Sequence, residues 1–108
     1  MIPRHYRIVR SSWGVVYVED VNPDRDGDRP PLEVPHQKYH SPTGMEYGYE
    51  GSGPSDLARS ILYYHTGNMP APQLYQQFKR EHIATLDGAQ TQHTITWEEV
   101  AAWLRDNT

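Results

Sequence analysis

A chain of 108 residues with 14 acids, 10 bases and no cysteine is long enough for one domain with one modest core, and it excludes several chemistries at once. Disulfides, thiolate nucleophiles and cysteine-held zinc are ruled out, and a formal net charge of −4 argues against a general grip on nucleic-acid phosphates. Only 36% of residues are hydrophobic, with eight tyrosines and three tryptophans, so the core must draw on large aromatics whose polar ends need partners. No apolar run approaches the roughly 20 residues of a membrane span, and the opening MIPRH lacks the build of a signal peptide. A cytoplasmic protein with no membrane contact is the simplest expectation.

In chain order, residues 5–10 and 15–19 are β-rich and separated by Ser11-Ser12-Trp13-Gly14, which predicts a hairpin. Two strands cannot bury a face alone, so helices must cover them. Residues 20–35 are charged and proline-rich, the composition of a surface loop or insertion. Residues 45–50 predict a third strand leading into the glycine stretch GSGP. A helix is then expected from about residue 54 to 66, with Leu57, Ala58, Ile61, Leu62 and His65 on one face and Gly67 as its C-terminal cap. Pro70 and Pro72 open a second helix whose stripe is Leu74, Tyr75, Phe78, His82, Ile83 and Leu86. The third helix is the best specified locally. Thr96 and Glu99 have capping-box spacing, and Ile95 and Val100 sit at the staple positions. The fold class is therefore α+β: one domain over residues 1–108, with a small antiparallel sheet of a hairpin and a third strand packed on about three C-terminal helices.

Four constellations bear on chemistry. In Gly51-Ser52-Gly53-Pro54-Ser55-Asp56, Pro54 fits the first helical position, with Gly53 as N-cap and Asp56 as an acid complementing the dipole. Such a turn either makes the fold or holds an anion on free N–H groups and the Ser52 and Ser55 hydroxyls. Asp56 argues against the anion, and neither GxGxxG nor a P-loop is present. Residues 22–33 have the acid spacing of a calcium loop, but position 1 is Asn22, two prolines stiffen it and a strand precedes it. His36 and His40 are spaced as a helical metal pair in a segment that is poor helix and supplies no third ligand. His65 and His82 lie on apolar helix faces, where hydrogen-bonded core histidines are the common case. No nucleophile elbow or carboxylate pair marks a catalytic centre. Lys79-Arg80 and Arg4, Arg7 and Arg10 are too scattered for a nucleic-acid surface.

The run HSPTGMEYGYEGSGPSDLA over residues 40–58 resembles the signature of a small family of bacterial and phage-encoded proteins known only as a domain of unknown function, with a pattern close to HSPTGFEWGYGGSGPAxLA. The chain departs from it at Tyr47, where the family has Trp, at Glu50, where it has Gly, and in the longer charged stretch at residues 22–33. The resemblance implies an α+β fold and a setting in bacteria or mobile elements. It implies no activity.

The expected function is a non-enzymatic binding or inhibitor module, with a counter-defence role against a host protein complex as one form of it. Its binding surface is assigned to His40, Glu46, Tyr47, Tyr49, Ser52, Gly53, Ser55 and Arg59, which gather polar aromatics and helix-start donors around one turn. No catalytic residue, metal or cofactor is assigned. The rival reading is a nucleotide- or phosphate-binding protein or small enzyme that uses the same helix start. A bacterial protein partner or a small ligand fits the surface, and the chain is expected to be a monomer or a homodimer.

Overall fold

The computed structural model describes residues 2–108. β1 (His5–Arg10) and β2 (Val16–Val21) form the expected hairpin, closed by Ser11 N–H to Val15 O at 2.8 Å and Gly14 N–H to Ser11 O at 2.9 Å. β3 (Leu32–Val34) pairs antiparallel with β2, and β4 (Gln92–Thr96) pairs antiparallel with β1. The order across the sheet is β3-β2-β1-β4. Register puts Tyr6 opposite Asp20 and Ile95, and Val18 opposite Ile8 and Val34. Side chains alternate across a strand, so these residues share the buried face. Arg7, Glu19 and Glu33 line up on the other face.

α2 (Ser52–Thr66) and α4 (Trp97–Asn107) flank α3 (Pro72–Phe78) in sequence and close the core. Leu57, Ala58, Ile61, Leu62, Tyr75, Phe78, Ile83, Val100 and Trp103 are buried with the sheet residues Tyr6, Ile8, Val18, Val34 and Ile95. The capping box at Thr96 and Glu99 is formed, and Gly67 is the C-cap of α2, its N–H bonded to Tyr63 O at 2.8 Å. α3 does not run on as an α-helix. Lys79–Ile83 is a π-helical turn, and Glu81 within it accepts from the Trp103 indole at 3.2 Å. No helix among the described residues is long and apolar enough to cross a membrane.

Three expectations change. The third strand does not lie at residues 45–50. That segment makes no strand pairing and bends at residues 48–50, where Gly48 has φ +87° and packs against the backbone of Gly88. The strands that complete the sheet are β3 and β4 instead. The charged insertion is also partly regular, since it holds β3 and the short α1 (Pro23–Asp26), capped by the Asn22 side chain. Finally, α2 begins at Ser52 with Gly51 as its N-cap. Asp56 therefore lies beyond the first turn.

Candidate functional site

The sequence at residues 51–56 builds a rigid turn rather than an open anion cradle. Asp56 is fully buried, and its carboxylate accepts the N–H of His40 at 2.8 Å, Ser41 at 3.0 Å and Tyr39 at 3.2 Å, with the His36 Nε2 at 2.8 Å. Burial alone would raise this carboxyl, but the N–H and imidazole donors outweigh it and hold the group below the ordinary carboxylate range. The chain thus provides its own anion, and the segment 36–41 wraps around it. Gly53 is dictated by contact. A Cβ there would lie 2.8 Å from the Glu46 Cβ and 3.2 Å from the Glu46 backbone nitrogen.

The eight residues assigned to a binding surface fall into three places. Glu46, Tyr49, Ser52 and Gly53 line one groove of about 240 Å³, together with residues of the hairpin end such as Gly14 and Val15. Glu46 is salt-bridged to Arg10, whose guanidinium lies 4.4 Å from the Tyr47 ring centroid. Tyr47 itself is buried, its hydroxyl donating to Gln90 O. His40 and Arg59 belong to a second cluster. Tyr39 stacks on His40 at 4.7 Å, Arg59 sits over Tyr39 at 4.7 Å, and His40 Nε2 meets the Tyr75 hydroxyl at 2.6 Å. Ser55 is buried, its hydroxyl donating to Gly51 O at 2.9 Å beside Gln76. Glu50 reaches Lys79 at 3.2 Å.

A second polar cluster escaped the sequence reading because its members come from distant positions. Asp20 is fully buried and is held by the Arg4 fork at 2.8 and 3.0 Å, by Arg25 at 2.8 Å and by the Tyr64 hydroxyl at 2.7 Å. Burial would raise the Asp20 carboxyl, yet these donors hold it far below its ordinary range. Arg4 also lies 3.4 Å from the Trp97 ring centroid, a cation–π contact. Trp97 in turn packs against His65 at 4.0 Å, and His65 Nδ1 is bonded to the Tyr6 hydroxyl at 2.7 Å. Burial pushes the His65 imidazole down and the Tyr6 phenol up. No buried side-chain polar atom among the described residues is left without a partner. A network so fully satisfied anchors α2 and α4 to the sheet. The only readable signal was the polar Asp20 at an inward-facing strand position.

The calcium-like spacing is used differently as well. Asn22 caps α1, and Asp26 accepts from Asn22 N–H at 3.1 Å and from Arg25 Nε at 2.6 Å. His36 and His40 take different partners, and no group of three or more His, Asp or Glu among the described residues is placed to hold a metal ion.

Fold and site together define a two-layer α+β domain in which a glycine-shaped turn is locked from inside by a buried carboxylate and presents its polar groups beside a hairpin tip. The chain belongs to a family of unknown function, DUF6166, whose pattern it matches over residues 6–106. No curated protein and no solved structure matches it.

Proposed function

We propose that this protein is a small non-enzymatic binding module that recognises a protein partner through the hairpin tip and the adjoining turn at residues 41–53. The observation that carries the reading is Trp13, 90% exposed at the hairpin tip, with Val15 at 60% and Tyr49 at 51% beside the polar groove. Large aromatics left in water contribute nothing to a core, and Trp and Tyr around a polar groove are the residues on which protein interfaces concentrate their energy. In the bacterial and phage setting that the family resemblance implies, the partner is a host protein, and inhibition of a defence complex is the role to test first.

A phosphate-binding reading draws on Ser52 and Gly53, which line the groove at the start of α2. It is the weaker of the two, because Ser55 is engaged with Gly51 and Gln76 while Glu46 brings negative charge to the same groove. A photo-crosslinking residue in place of the exposed Ser12, introduced into the wild type and into Trp13→Ala and Tyr49→Ala, separates these readings. The module predicts one cross-linked bacterial protein whose capture both alanine variants abolish at unchanged thermal midpoint. Capture that survives both variants, or stabilisation by a nucleotide that Ser52→Ala removes, would overturn it.

A further inference from the structure

The free edge of the sheet carries a second surface, whose apolar cavity shares no lining residue with the groove beside the hairpin tip. β3 is the outermost strand and pairs with β2 along one side only. Its other side presents main-chain donors and acceptors at a sheet edge. Between that edge and α2 lies a largely apolar cavity of about 290 Å³, whose lining includes Leu32, Glu33, Pro35, Ser60, Tyr63 and Tyr64. Its walls are fixed in place. Gln37 N–H donates to Ser60 Oγ at 2.8 Å, Arg59 to Gln37 O at 3.1 Å, and Tyr64 to Asp20 at 2.7 Å. Leu32 is nonetheless 52% exposed.

We propose that β3 and the facing side of α2 form a strand-addition groove for an extended partner segment in which apolar side chains alternate with Lys or Arg. A strand edge beside a helix lets a peptide take main-chain bonds from the edge and place alternate side chains in a pocket. The alternation follows from the register. Leu32 and Val34 are on the helix side, opposite Asp20 and Val18, whereas Glu33 is on the outer side opposite Glu19. An added strand has a side-chain period of two, so a residue entering the cavity is flanked by residues lying over the outer side.

That side holds an open groove lined by Val15, Tyr17, Glu19, Pro31 and Glu33. Glu19 is bonded to Arg7 at 2.8 Å, while Glu33 is exposed and has no ion-pair partner among the described residues. The complementary residue is a cation. A second copy of the chain is disfavoured by the same charge, since antiparallel pairing of two β3 strands centred on Glu33 sets two carboxylates opposite each other. Pro31 and Pro35 flank the three-residue edge, so main-chain bonds are few and the apolar side chain in the cavity supplies the anchor.

The test uses the full chain labelled for NMR and two blocked pentapeptides, KVKVK and EVEVE. KVKVK should slow amide exchange at residues 32–34 and shift the signals of residues 60–64, and EVEVE should bind at least tenfold more weakly. Glu33→Lys should reverse that preference, and Leu32→Ser should weaken KVKVK at least tenfold at unchanged thermal midpoint. Trp13→Ala should change neither, which separates this surface from the module reading above. Equal response to both peptides, no protection at β3, or concentration-dependent protection of β3 without peptide, which would assign the edge to a second copy, overturns the proposal.

Discussion

Three glycines at the entry to α2, Gly48, Gly51 and Gly53, should respond to alanine in a fixed order, and the distances give the reason. At Gly53 a new Cβ would sit 2.8 Å from the Glu46 Cβ and 3.2 Å from its backbone nitrogen. Neither atom is the far end of a flexible chain, so the loop must shift. Overpacking costs about 1–3 kcal/mol, a contact this short falls in the upper part of that range at about 2–3 kcal/mol, and the better helix propensity of Ala returns about 1. The net loss is about 1–2 kcal/mol, equivalent to a drop of roughly 5–10 °C in midpoint for a domain of this size. At Gly48 the Cβ would meet the Gly88 Cα at 2.7 Å and its nitrogen at 2.9 Å, with φ at +87°. Backbone meets backbone there, and left-handed strain adds to the clash, for a total of about 3–4 kcal/mol. Gly51 has φ 171°, an ordinary extended value, and its Cβ would press on the ring edge of the half-exposed Tyr49 and lie at an ordinary 3.9 Å from the Pro54 Cδ. That ring can swing away, so Gly51→Ala should stay within about 0.5 kcal/mol of the wild type. Urea unfolding of the three variants, read at a common slope, gives the comparison. A neutral Gly53→Ala, or a Gly51→Ala as damaging as Gly48→Ala, would refute the reasoning.

Two further expectations concern the buried acids. Asp20→Asn should destabilise by about 3 kcal/mol, the low end for breaking a buried pair because Arg4 and Arg25 can turn toward water; a loss below about 1 kcal/mol in chemical denaturation would show that the network is ornamental. Asp20 and Asp56 titrate below their ordinary range in the folded chain, so the unfolded chain binds more protons in acid. Their contribution is complete above the unfolded value of 3.8 and is lost as pH falls through the lower folded values. His65, pushed below its ordinary 6.5 by burial, adds an earlier loss beginning as pH falls past that value. Thermal midpoints across the acid range should therefore fall in two stages. His65→Gln should remove the first stage and leave the second, and a single-stage curve in the wild type would contradict the assignment.

Much of the fold could be read from local pattern. The capping box at Thr96 and Glu99, the 3.6-residue stripe of Leu57, Ala58, Ile61 and Leu62, and the hairpin around Gly14 are decided within a few residues of themselves, and they appear where expected. β4 escaped because only Ile95 of its five residues is buried, so it has almost no alternation to detect. β3 escaped because three residues between prolines give too short a window. Residues 45–50 alternate like a strand, yet the close approach of Gly48 to Gly88 turns them out of the sheet.

The candidate site divides in the same way. The sequence by itself determined that a glycine-shaped turn precedes α2 and that acids crowd it, because turn dihedrals and charge are properties of neighbouring residues. Only the tertiary structure decided that Asp56 faces inward to the 39–41 amides, that Tyr47 and Ser55 are buried, and that Trp13 stands in water while Gly14 and Val15 of the same hairpin end share a groove with Tyr49, Ser52 and Glu46. Which side chains face solvent depends on elements brought together from distant parts of the chain, and local pattern does not record that meeting.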